Sequence, residues 1–250
     1  AYGVWMAGCA RALLYKNEAG VGKAIGQSGI PRDEVFITTK LFPQSPNFKQ
    51  QSTTKFLNLS LEQLGADYVD LYLVHFPSID PQIRKDTWQM MEGFQRGGRC
   101  KSIGVSNYTI GYLEELLAYA EMKPAVNQVE FSPFLYQKQL LDFCNEHEIK
   151  VEAYSPLTQG EKLGDSRLVG VVSRYGKSPA QILIRWALQQ GLIVLPRSQN
   201  KDRIRENINV FDFTLKPEDM QILNSFNEGF RTCWNPEEVE SLERKAGKRR

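Results

Sequence analysis

Val35-Phe36-Ile37-Thr38-Thr39-Lys40-Leu41 and, after one long amphipathic interval, Tyr68-Val69-Asp70-Leu71-Tyr72-Leu73-Val74-His75 are two β-branched, largely apolar runs, and each carries a chargeable side chain at or next to its end. Near-continuous apolar runs of this length fit strands buried on both faces of a parallel sheet, not half-exposed strands that alternate. Parallel neighbours need a crossover between them, and the interval is long enough for a helix. The same alternation extends outward through Lys101 to Val105, Ala125 to Phe131, Lys150 to Tyr154 and Leu192 to Leu195. Two weaker strands, Gly3 to Met6 and Gly8 to Leu14, bring the number to eight. Helix patterns fill the gaps at Glu18 to Gly26, Ser52 to Leu64, Thr87 to Gln95, Thr109 to Ala120, Gln137 to Asn145, Ser178 to Gln190 and Lys201 to Ile208. Gly26 and Gly65 suit C-terminal caps, and Ser178-Pro179 sets a cap residue before a proline at the first helical position. Eight alternations without a Pro/Gly-rich linker predict an α/β fold, a (β/α)8 TIM barrel over residues 1–250, with a doubly wound sheet as the alternative. One irregularity stands out. No helix fits between Met6 and Gly8, so the first βα unit and the second strand are incomplete, and residues 1–14 read as fragmentary strands.

The bulk properties agree with such a barrel. The 250 residues are 42% hydrophobic and 24% charged, enough for one large core. No run approaches the ~18 apolar residues of a membrane span, and no signal-peptide pattern opens the chain. Four dispersed cysteines without a CxxC pair, with two histidines, predict a reducing, cytoplasmic setting and no metal site. Five of the last seven residues, 244–250, are basic, so the chain's net +2 leaves a mildly acidic body. That body lacks the basic face a nucleic-acid binder needs, and the tail reads as a solvated end. Two phosphate-loop lookalikes fail on inspection. In Gly20-Val21-Gly22-Lys23-Ala24-Ile25-Gly26 the third glycine comes one residue late and no strand leads into it, so these read as helix-surface glycines. Gly176-Lys177-Ser178 has Val171 where a P-loop needs glycine.

In an α/β barrel the chemistry gathers at the carboxyl ends of the strands. Lys40 and His75 occupy equivalent ends of adjacent runs, and a buried cation costs several kcal/mol unless it is paired or used. Further ends offer Ser106 and Asn107, then Gln128, then Tyr154, Ser155 and Leu157. Pro196-Arg197-Ser198, followed by Arg203 on the next helix, sets two guanidinium groups and a hydroxyl where a phosphate fits.

In order and spacing these segments resemble the aldo-keto reductase family. The supporting stretches are Tyr15-Lys16-Asn17-Glu18, Ile37-Thr38-Thr39-Lys40, Asp70-Leu71-Tyr72-Leu73-Val74-His75 and Ile103-Gly104-Val105-Ser106-Asn107. Asn127-Gln128-Val129-Glu130, Ala153-Tyr154-Ser155-Pro156-Leu157, Pro196-Arg197-Ser198 and Arg203-Ile204-Arg205-Glu206-Asn207 complete the set. The resemblance implies reduction of an aldehyde or ketone with NADPH by a cytoplasmic monomer. Tyr15 would protonate the oxygen, Lys40 would lower the tyrosine's pKa from its usual ~10, and His75 would orient the carbonyl. Ser106, Asn107 and Gln128 would hold the nicotinamide amide, and Tyr154 would stack on its ring. Ser155 and Leu157 would meet the pyrophosphate, Arg197, Ser198 and Arg203 the 2′-phosphate, and Glu206 and Asn207 the adenine. Trp5, Phe42, Phe76 and Trp234 would line an apolar substrate pocket, with residues 227–243 as its C-terminal loop. Ordinary packing of those aromatics is the other reading.

The chain departs from the family in one neighbourhood. The family's second strand carries an aspartate that pairs with the lysine, whereas here Gly8-Cys9-Ala10-Arg11-Ala12-Leu13-Leu14-Tyr15 has none, and the first aspartate is Asp33. Either residues have dropped out of the sequence before Tyr15 or the chain is truly shortened there. A shortened site would lose roughly 10²–10⁴-fold in rate. The alternative function is then an NADP(H)-binding partner or regulatory subunit with impaired catalysis.

Overall fold

The structure, a computed structural model, describes residues 9–10, 17–43 and 50–238. They fall into two compact units, one whose described part ends at Asn127 and one spanning Gln128–Glu238. In the first, β1 (Cys9–Ala10), β2 (Ile37–Leu41), β3 (Val69–Val74) and β4 (Cys100–Ser106) pair parallel in chain order. Helices α1 (Glu18–Ser28), α2 (Gln50–Leu64) and α3 (Pro81–Arg96) form the crossovers, and α4 (Ile110–Tyr119) leads to β5 (Val126–Glu130). The second unit takes up the end of β5 and continues through α5 (Lys138–Glu146), β6 (Lys150–Tyr154), α6 (Ser166–Val172), α7 (Pro179–Gln189), β7 (Ile193–Leu195), α8 (Lys201–Ile208) and α9 (Pro217–Asn224). There β6 and β7 are parallel, with Tyr154 opposite Leu195.

Burial follows the apolar runs. Every residue of β2 and β5 is buried, as expected of strands covered on both faces. Trp88 and Met91 of α3 pack in the first unit; in the second, Trp186 of α7 lies 5.9 Å from Phe131 and 5.5 Å from Tyr136 between ring centroids. Ser178 caps α7: its Oγ accepts from the Gln181 amide at 3.3 Å, and its own amide donates back to Gln181 Oε1 at 3.0 Å, as the Ser-Pro signal implied.

Several boundaries differ from the sequence expectation. Helix α1 continues past Gly26 to Ser28, and the left-handed cap is Gly29 at φ 70°. Gly22 is more than a surface glycine: a Cβ there would lie 2.4 Å from the Leu64 carbonyl oxygen, so it is where α1 meets the end of α2. Helix α3 begins at Pro81 instead of Thr87, because Asp80 Oδ1 accepts from the Gln82 and Ile83 amides at 2.8 and 3.4 Å. A 3₁₀ turn at Arg32–Glu34 delays β2 to Ile37. Helices α6 and α9 were not anticipated. Of the expected Gly8 to Leu14 strand only Cys9–Ala10 is seen among the described residues, while Gly3 to Met6, Trp5, Tyr15 and the 244–250 tail lie outside them.

Candidate functional site

Strand register builds the first cluster. Lys40 of β2 stands opposite Leu73 of β3, which stands opposite Gly104 of β4. Partners in a parallel ladder share a face, and residues two apart on a strand return to it. One rung beyond Lys40, Leu73 and Gly104 come Phe42, His75 and Ser106. The ring contact agrees: Phe42 and His75 meet edge to face with centroids 5.7 Å apart. Gly104 is required by this closeness, since a Cβ would lie 2.6 Å from the Val126 oxygen and 2.8 Å from Leu73 Cδ2. Lys40 and His75 therefore share one face at the carboxyl ends of adjacent strands, both buried.

His75 is locked by its backbone. Its amide donates to Leu41 O at 2.7 Å, and its carbonyl accepts from Asn107 Nδ2 at 3.0 Å. Asn107 turns back to do this from φ 65° and also donates to Ser106 Oγ at 3.0 Å. Burial first, and the nearby Lys40 cation second, hold the His75 imidazole well below its usual range, at about 3. It is neutral at physiological pH, so it can orient a carbonyl oxygen by donating one N–H and is not charged there. Phe76 is fully buried beside it.

The second unit, taken by itself, holds the remaining residues singled out in the sequence. Gln128 and Glu152 are buried, and Gln128 Nε2 donates to Glu152 Oε2 at 2.7 Å, which fixes the amide plane. Tyr154 ends β6 half-buried, and the chain then turns sharply: Ser155, Thr158 and Gln159 all have φ near 50°. Ser155 Oγ lies 4.0 Å from Cys233 Sγ, and Leu157 is half-buried. Beyond β7, Arg197 and Arg203 are exposed, and neither forms an ion pair with a described residue, in contrast to Arg205, which pairs with Asp202. Ser198 Oγ accepts from the Asn200 amide at 3.1 Å, and Asn200 caps α8 by accepting from Asp202 N and Arg203 N. Glu206 is half-buried and Asn207 buried on that helix; Trp234 is exposed. Two exposed guanidinium groups that pair with no acid among the described residues, beside a hydroxyl and a helix start, are a donor set suited to a phosphate dianion. Among the described residues no three His, Cys, Asp or Glu side chains converge as metal ligands, and no helix is long and apolar enough to cross a membrane.

Sequence reading passed over three buried acids. Glu18 accepts a hydrogen bond from Thr39 Oγ1, Glu152 orients Gln128, and Glu130 binds the Thr232 and Cys233 amides. The signal that singled out Lys40, a charge closing an apolar run, applied equally to Glu130.

Comparison with known proteins agrees with the strand-by-strand geometry. The family model described as "Aldo/keto reductase family" matches residues 2–228. Glyoxal reductase of Bacillus subtilis is 44% identical over 228 residues, spanning 91% of this chain and 81% of its own. Among solved structures, an aldo-keto reductase from a Medee basin deep-sea metagenome library superposes with TM-score 0.86 at 37% identity, covering 90% of this chain and 83% of its own. A Bombyx mori aldo-keto reductase in complex with NADP gives TM-score 0.84 at 34% identity, covering 93% and 82%. The fold is thus the α/β (β/α)8 barrel expected from the alternation.

Proposed function

The chain belongs to the aldo/keto reductase family, and on that premise we propose that it reduces small aldehydes or ketones to alcohols with NADPH. The observation that carries the reading is the pairing of a buried Lys40 with a neutral, backbone-locked His75 on one face at adjacent strand ends. When bound, the dinucleotide would supply a hydride to the carbonyl carbon. The remaining work falls to this chain. A His75 that gains its proton only near pH 3 is a poor acid at neutrality, so it positions the oxygen and leaves protonation to Tyr15. Tyr15 holds this role because it opens the Tyr15-Lys16-Asn17-Glu18 segment that resembles the family's. In that role a cation at Lys40 would favour the tyrosinate.

Ser106, Asn107 and Gln128 would hold the nicotinamide amide, Tyr154 would stack on the ring, and Ser155 and Leu157 would meet the pyrophosphate. Arg197, Ser198 and Arg203 would take the 2′-phosphate, with Glu206 and Asn207 toward the adenine. The exposure of the two arginines, with no ion pair to either among the described residues, supports NADPH over NADH. On the family's pattern Trp5, Phe42, Phe76 and Trp234 would face the substrate. The name of the B. subtilis relative supports a small dicarbonyl or aldehyde as substrate. The reading carries with it a single barrel domain over 1–250, acting as a cytoplasmic monomer.

The test is loss of NADPH absorbance on adding glyoxal or an aromatic aldehyde to the purified chain. Turnover that falls at least about 10²-fold in Lys40→Met is expected. Tight NADPH binding without any turnover would overturn the enzymatic reading.

A further inference from the structure

Glu130 is buried at the carboxyl end of β5, and the chemistry above gives it no task. Burying a carboxylate is costly unless its oxygens are filled by donors. Here they are filled by one short segment of chain. Glu130 Oε1 accepts from Thr232 N at 2.7 Å and Thr232 Oγ1 at 2.6 Å, and Oε2 accepts from Cys233 N at 3.3 Å. The same segment lies along the turn after β6. Gln159 Nε2 donates to Thr232 O at 3.1 Å and lies 3.7 Å from Cys233 Sγ, which in turn lies 4.0 Å from Ser155 Oγ. Just upstream, Glu228 and Phe230 donate their amides to Phe134 O, and Glu228 pairs with Lys162 at 2.6 Å and Arg167 at 2.9 Å. Residues 228–233 are thus a strap fastened at both ends.

What the strap touches is a strained turn. Ser155, Thr158 and Gln159 all sit in the left-handed region, which side chains other than glycine disfavour. Such a conformation persists only where its surroundings hold it. Local bonds contribute, Thr158 N to Ser155 O at 2.9 Å, Gly160 N to Leu157 O at 2.8 Å and Lys162 N to Thr158 Oγ1 at 3.1 Å, while Gln159 at one end of the turn and Ser155 at the other reach the strap.

We propose that Glu130 is a positioning residue: by clamping Thr232 and Cys233 it holds the Ser155–Gln159 turn in its left-handed shape and so pre-forms the seat for a dinucleotide's pyrophosphate. The ligand in this statement rests on the proposed function; the mechanical coupling does not. Pre-forming a strained seat moves the ordering cost from binding to folding, so release of the clamp lowers affinity without removing a ligand contact.

The experiment uses two variants of the full chain and two readouts. Glu130→Gln keeps the volume but turns an NH2 toward groups that themselves donate. Gln159→Ala removes the strap-to-turn bond at an exposed position and leaves Glu130 intact. In cofactor-free protein, amide hydrogen exchange across 157–161 is expected to rise about tenfold in both variants. NADPH affinity is expected to fall about tenfold in both. Affinity for adenosine 2′-monophosphate, which lacks the 5′-phosphate and needs only the Arg197, Ser198, Arg203, Glu206 and Asn207 end, should stay as in the parent. Unchanged exchange in both variants overturns the clamp, and so does an equal loss for both ligands, which would report general damage. A parent chain that binds no NADPH overturns the cofactor reading instead, and the exchange measurement still decides the clamp.

Discussion

His75 is the residue whose environment makes the sharpest pH statement. Its ordinary value is 6.5 and burial with Lys40 nearby lowers it to about 3, so between those values the unfolded chain binds a proton the folded chain does not. Stability is therefore full above about pH 6.5 and is lost as pH falls toward about 3, with a slope of up to about 1.4 kcal/mol per unit from this group. Urea unfolding of His75→Asn against the parent should show that slope removed, and parallel pH profiles would contradict the assignment. Arg203 gives a second residue-scale outcome. Loss of a charge-assisted contact costs about 1.5–3 kcal/mol, so Arg203→Ala should weaken NADPH about tenfold to a hundredfold in a binding titration, with NADH barely changed. Equal losses would remove Arg203 from the 2′-phosphate seat. Lys40 and His75 were legible in sequence because a charged or titratable group closing an apolar strand has few cheap explanations. Glu18, which opens α1, and Glu152, in the middle of β6, were not: only the fold brings Thr39 or Gln128 to them.

At the scale of elements, legibility follows how much of a boundary is decided locally. Helices α7 and α8 were placed within a residue of their ends, because Ser178-Pro179 and the Lys201 to Ile208 pattern carry their own signals. Helix α6 is only seven residues long, too short for a periodic pattern, and its Asp165 cap shows only once its side chain accepts from Arg167 N at 2.9 Å. The α1 glycines show the same limit in another form. Gly20, Gly22 and Gly26 look alike in sequence, yet a Cβ at Gly20 or Gly26 meets nothing within 4 Å, whereas at Gly22 it runs into the Leu64 carbonyl. Opposite signs are expected. Gly20→Ala should stabilise by about 0.5–1 kcal/mol through helix propensity, whereas Gly22→Ala should destabilise by about 1–3 kcal/mol by forcing α1 off α2. Chemical denaturation of the two variants decides this, and a stabilising Gly22→Ala would mean that the α1–α2 approach is looser than described.

For the whole chain, the parallel strand order was legible because doubly buried strands write a nearly uninterrupted apolar signature, and the helices between them leave only one kind of connection. The N-terminal edge was not, since Gly8 to Leu14 mixes cysteine, alanine, arginine and leucine without either period. Function at this scale is read through linkage, whichever elements touch the ligand. A dinucleotide that binds only the folded chain stabilises it by about 2.7 kcal/mol at a hundred times its Kd. For a chain of this size that corresponds to a rise in Tm of about 5 °C. NADPH should produce this rise, and NADH at the same concentration a much smaller one, because only NADPH carries the 2′-phosphate proposed for Arg197 and Arg203. In Arg203→Ala the two cofactors should converge. Equal shifts from both cofactors in the parent chain would mean that the exposed arginines play no part in the choice between them, and the preference for NADPH would have to be given up while carbonyl reduction stood.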